Sequence, residues 1–153
     1  MAEIPGAWRE VHRTARGAGF VACLIGPLLV LGLAAAGVLA PGGNPVAGVY
    51  QQVGYTFTGL VFLAAAWATW RRGRVLKAFG NVPAAARAGI LRREALVAAS
   101  ISLTSALWGA LYWAMVGWNA VRHALAFLFL TPVMFLCFMP GLQVWTRFQK
   151  EAP

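Results

Sequence analysis

The side chains that could carry chemistry in this chain are few and far apart. They are His12 and His123, Cys23 and Cys137, and Glu94 at the start of an apolar run. A haem or a transition metal needs ligands that can meet. The apolar segments between the two histidines put roughly 30 Å of hydrocarbon between them, so one chain cannot bring both to one haem. His123 with Met115 is geometrically possible, for haem or a soft copper ion, because both flank one short turn. A solvated histidine at a helix start is the plainer reading, and the expectation is no metal and no cofactor. The cysteines form no CxxC and no metal spacing, and thiols buried in apolar surroundings are inert. No Ser/His/acid or Cys/His set falls at one depth for nucleophilic catalysis. Proton or ion coupling usually needs an ionisable group inside the membrane. None of the predicted spans has one at mid-depth, and Glu94 reads as an acid at a helix beginning, favoured by the dipole and by neighbouring arginines.

The distribution of charge explains this poverty. At 153 residues the chain has the length of one domain, with 60% apolar and 11% charged residues, against about a quarter charged in soluble domains. No Asp, Glu, Lys or Arg occurs from Gly17 to Trp70, from Ala95 to Val121, or from His123 to Thr146. A small soluble protein exposes too much of its surface to cover such runs. The chain therefore reads as an integral membrane protein. Its net charge of +9 belongs to the flanks of membrane spans, and nucleic acid is not an expected partner.

The elements follow from the apolar runs. Residues 4–19 predict a short interfacial helix, with Trp8, Val11 and Ala15 on one side and Arg9, Arg13 and Arg16 on another. Spans are expected at 20–40, 49–70, 95–118 and 121–139. The first is too long an apolar run for a signal-peptide core and is read as retained. Gly26-Pro27 and Pro132 are expected to bend their helices. Phe127, Phe129, Phe135 and Phe138 make the fourth span bulky, and much of it is expected to face lipid; the tail, 140–153, is expected to lie along the interface. The third span carries small residues at four-residue spacing, Ala98, Ser102, Ala106 and Ala110, a pattern that lets helix backbones approach closely.

The chain's polar centre is the segment 71–93. It holds Arg71, Arg72, Arg74, Lys77, Arg87, Arg92 and Arg93 and reads as a helical hairpin continuous with spans two and three. Twelve of the thirteen Lys and Arg residues fall on one side of a four-span threading, and Arg122 alone on the other. The positive-inside rule then puts both termini and the hairpin in the cytoplasm, in a plasma (bacterial inner) membrane. The fold expected is all-α: a four-transmembrane-helix bundle, N-in and C-in, with an interfacial N-terminal helix and a basic cytoplasmic hairpin. The seven hairpin cations are the candidate binding residues, for anionic lipid headgroups or an acidic partner. The leading functional expectation is a non-catalytic accessory subunit of a homo-oligomer or larger membrane complex. A channel or transporter for a small uncharged solute is the alternative. A lipid- or quinone-handling protein is the third, since an apolar pocket near Trp108, Tyr112 and Trp113 needs no charge.

Overall fold

Hydrocarbon offers no hydrogen bonds, so a spanning backbone must satisfy its own, and helix is the economical way to do so. The computed structural model describes residues 7–43 and 48–150, and over them every regular element is a helix. The helices are α1 (Ala7–Ala35), α2 (Val49–Phe79), α3 (Ala84–Val116), α4 (Val121–Phe138) and α5 (Leu142–Lys150), with one 3-10 turn, Gly117–Ala120, between α3 and α4. Four helical segments are long and apolar enough to cross a bilayer, and among the described residues there is no strand. The protein is an all-α, multi-pass membrane protein.

Three expected elements take a different form. The interfacial helix is not separate, because residues 7–19 are the first turns of α1 and run straight into its apolar part. Nothing between Arg16 and Phe20 breaks a helix, and Trp8 and His12 are buried against the bundle rather than lying in lipid. Residues 4–6 of that expected helix lie outside the described residues, as do 44–47 of the first loop and 151–153 of the tail. The first helix also ends at Ala35, not at residue 40. Gly37 adopts a positive φ of 73°, a conformation glycine tolerates and other residues avoid. Its N–H reaches Ala34 O, and Leu39 N–H folds back to Leu33 O.

The tail does not simply lie on the interface. Its described part, α5, packs against the ends of α2 and α1, with Trp145 only 1% exposed. Leu142, Trp145 and Phe148 recur at i, i+3 and i+6, which gives the short helix one apolar side for this contact.

The packing is unequal. α1, α3 and α4 contact one another along their lengths, with α3 central, whereas α2 attaches to α3 and more sparsely to α4. Glycines set the close approaches. A Cβ on Gly109 would meet Ala124 O and the Phe127 side chain, and one on Gly19 would collide with the Phe135 ring. Of the phenylalanines of α4, Phe127 and Phe135 are buried within the bundle, while Phe129 points outward. Small residues on α3 and α1 open the space that these rings fill. Pro27 and Pro132 lie inside α1 and α4, which both continue through them.

Candidate functional site

α2 is pinned at both ends, and between them Val61 and Ala68 are its buried contacts with the bundle. At the end far from the basic segment, the Tyr112 hydroxyl of α3 donates to Tyr50 O at 2.9 Å. Gly54 makes this possible, since a Cβ there would come within 2.9 Å of that hydroxyl. Phe57 stacks on Trp108 at 4.9 Å between ring centres and meets Tyr112 edge-on at 6.2 Å. At the basic end, Arg71 pairs with Glu94 of α3 and Arg72 donates to Cys137 O of α4. Leu76 and Phe79 are buried there with Trp8, Leu91, Met139 and Trp145.

Between these two clamps α2 stands away from α4 and leaves a groove of about 650 Å³. Tyr50, Gln51, Tyr55, Thr58, Tyr112 and His123 line one end, and Val61, Phe62, Ala65, Leu130 and Met134 line the rest. From Gln51 to Ala65 the helical rise is about 21 Å, enough to run from the headgroup level well into the hydrocarbon. No charged side chain borders it. His123 stands edge-on to Tyr112 at 6.1 Å, beside the hydroxyl that is bound to Tyr50. A neutral imidazole offers one donor and one acceptor, and the bound hydroxyl keeps lone pairs free to accept. The site can therefore hold an uncharged polar head at its mouth and an apolar chain along its length. It presents no nucleophile or general base in a catalytic arrangement.

The first loop is tied to α3 at the same end of the protein. Trp113 Nε1 donates to Leu39 O at 3.1 Å and Gly42 N–H to Trp113 O at 3.3 Å. A Cβ on Gly117, at φ 71°, would meet Gly42 O, and one on Gly42 would meet Ala114 O and the Met115 backbone, so neither position has room for a side chain.

The sequence-predicted residues are scattered about this geometry. Among the hairpin cations, Arg71 and Arg72 serve the α2 clamp, and Arg87 donates to Val82 O at 3.1 Å and lies over Phe79. Arg74 lies over Trp70, 5.0 Å from the ring centre, while Lys77, Arg92 and Arg93 are exposed. The seven do not converge on one site. Of the small-residue stripe, Ala98, Ser102 and Ala106 are buried within the chain and Ala110 is half-buried. Ser102 Oγ bonds back to Ala98 O, and its neighbour Ser105 crosses to Phe127 O of α4 at 2.7 Å. Met115, half of the possible metal pair with His123, is 50% exposed. Among the described residues no three His, Cys, Asp or Glu side chains converge as a metal group would require.

Sequence reasoning missed His12. Its Nε2 donates to Pro140 O at 3.0 Å, and the neighbouring Arg16 Nε donates to Met139 O at 3.0 Å. Together they cap the carbonyls left open where α4 ends. Burial lowers the His12 pKa from its usual 6.5; the bond to Pro140 opposes this, and the Arg16 charge adds to it. His12 precedes the charge-free stretch that begins at Gly17, so it lies outside the part of α1 that crosses hydrocarbon. Its signal was legible: Trp8, His12, Ala15, Gly19 and Cys23 form one helical stripe, and that stripe is the inward face.

The chain matches no protein-family model, no curated protein and no solved structure.

Proposed function

We propose that this is a non-catalytic membrane protein that holds a neutral amphiphile, an uncharged polar head with a hydrocarbon chain, in the groove beside α2. The observation that carries the reading is the groove's polarity gradient: uncharged hydrogen-bonding groups at one end, hydrocarbon walls over the remainder. A groove of this kind in a spanning bundle is open to lipid by position, and its few polar groups supply orientation. This brings the lipid- or quinone-handling reading ahead of the others. The channel reading gains no comparable support, since Tyr112, Phe127, Phe135 and Met139 fill the interior. Mild-detergent extraction followed by mass spectrometry of bound small molecules tests the proposal. Wild type should carry a neutral amphiphile at near-stoichiometric level. Ala126→Trp, which fills the groove from an exposed lining position, should lose it while keeping its thermal stability. Equal retention by both proteins would refute the site.

The accessory-subunit reading stands second on a specific observation. Open space surrounds Gly32 of α1 and Gly59 of α2, on helices that expose Leu28, Leu29, Phe62 and Leu63. Small residues amid exposed apolar ones suit a helix from another chain. Both readings keep the basic end in the cytoplasm, as the charge bias favours. Cysteine crosslinking at Gly32 and Gly59 in native membranes separates the two: a discrete crosslinked band supports assembly, and its absence at both positions removes it.

A further inference from the structure

We infer that the cleft between α1, α4 and α5 at the basic end binds the phosphodiester of an anionic phospholipid. The cleft, about 540 Å³, is bordered by His12, Arg13 and Arg16 and floored by Phe20, Leu136 and Leu142. No carboxylate lines it. The Arg16 Nε is committed to Met139 O, which fixes the guanidinium plane and leaves its terminal amino groups to a ligand. Arg13, one turn earlier on α1, supplies a second guanidinium to the same cleft. Two guanidiniums close together match a phosphate better than any neutral head, because each offers paired donors in fixed geometry.

Depth decides between a lipid and a dissolved anion. Arg16 is the last charge on α1 before the hydrocarbon run, so its guanidinium stands at headgroup level. Phe20 lies four residues further, about 6 Å deeper, where an acyl chain begins. A dissolved phosphate would use only the arginine rim and leave the apolar floor uncovered. A zwitterionic lipid would cover the floor and offer the same phosphodiester, but would bring its own ammonium beside two guanidiniums in a cleft with no carboxylate to balance it. A phospholipid with net negative charge satisfies both. This site is at the opposite end of the protein from the α2 groove and does not depend on the reading given for it. It also differs from the hairpin cations, several of which are spent on internal contacts.

The test is native mass spectrometry of the protein released from nanodiscs containing equal phosphatidylglycerol and phosphatidylcholine. Wild type should retain phosphatidylglycerol selectively. Arg13→Gln should lower that retention roughly fivefold, and Arg13→Gln with Arg16→Gln should lower it further, on the scale set by one basic residue at a membrane surface. Leu136→Trp, which blocks the floor without altering charge, should also reduce retention. Arg92→Gln with Arg93→Gln, on the exposed hairpin, should leave it unchanged. If losing Arg16 disturbs the end of α4, Arg13→Gln and Leu136→Trp still carry the test. Wild-type retention in both of those variants overturns the site, as does an equal loss in the hairpin control. Release of phosphatidylglycerol by millimolar inorganic phosphate would overturn the lipid assignment in favour of a soluble anion.

Discussion

Tyr112 shows how much rests on single polar atoms in this protein. Its ring is buried, its hydroxyl reaches across to the Tyr50 carbonyl, and it forms one wall of the groove mouth. Tyr112→Phe removes one bond between α3 and α2, which should cost about 0.5–1.5 kcal/mol in thermal or denaturant unfolding. It should also reduce amphiphile retention, because the phenolic oxygen that orients the head is gone. Unchanged stability would mean that the α2 clamp rests on Phe57 and Trp108 alone. At the other end, His12 is buried and its pKa held below 6.5, chiefly by burial. The unfolded chain therefore takes up the proton first, and the sign follows: stability is complete above the unfolded pKa and is lost as pH falls through it. Melting between about pH 7.5 and 5.5 should show a falling midpoint for wild type and a flatter one for His12→Gln. Parallel curves would assign the acid sensitivity elsewhere.

Among the helices, α3 organises the rest because its small residues serve two neighbours at once. Ser105 and Gly109 meet α4. Ala99 accepts a weak bond from Cys23 of α1 at 3.9 Å, and Leu103 packs over Gly26. Ala106 is buried between such contacts at 4% exposure. Ala106→Leu should thus lower the stability of the single chain, by about 1–3 kcal/mol for an overpacked core position, and leave any association between chains unchanged. A change in oligomer size with unaltered melting would place the stripe on an outer surface. The four-residue spacing of small residues marks this face in the sequence, but does not say whether its neighbour is a helix of the same chain or of another. The continuity of α1 was less legible. Arg9, Arg13 and Arg16 mark one face of its first turns as polar, and charge alone does not tell a helix lying on the membrane from one rising into it. What separates the two is the opposite stripe, Trp8, His12 and Cys23, whose partners on α2, α3, α4 and α5 are distant in sequence. The same holds for Phe127 and Phe135, whose burial depends on the glycines that face them. Of the groove's lining the sequence pointed only to Tyr112 as a pocket residue. The groove is a gap between α2 and α4, and no local pattern encodes how far two helices stand apart.

At the scale of the whole molecule the protein is a tight three-helix core with a fourth helix pinned beside it at both ends. The core binds α3 to α1 and α4 through glycine and alanine contacts, and the basic end is closed by Trp8, Phe79 and Trp145, with ring centres 5.8 and 4.8 Å apart along that series. The opposite end is tied by Trp113, Gly42 and the Tyr112–Tyr50 bond. Between them lies a long opening with hydrogen-bonding groups at its mouth and apolar walls at bilayer depth. Photoaffinity labelling in native membranes addresses this most directly. The probe is a neutral-headed lipid with a diazirine in its acyl chain, and the adducts are mapped by peptide mass spectrometry. The groove account predicts adducts concentrated on the α2 segment 61–65 and the α4 segment 130–134, and abolished by Ala126→Trp. Adducts spread evenly over the exposed faces of α1 and α2, at Leu28, Leu29 and Leu63 as much as in the groove and indifferent to that substitution, would contradict it.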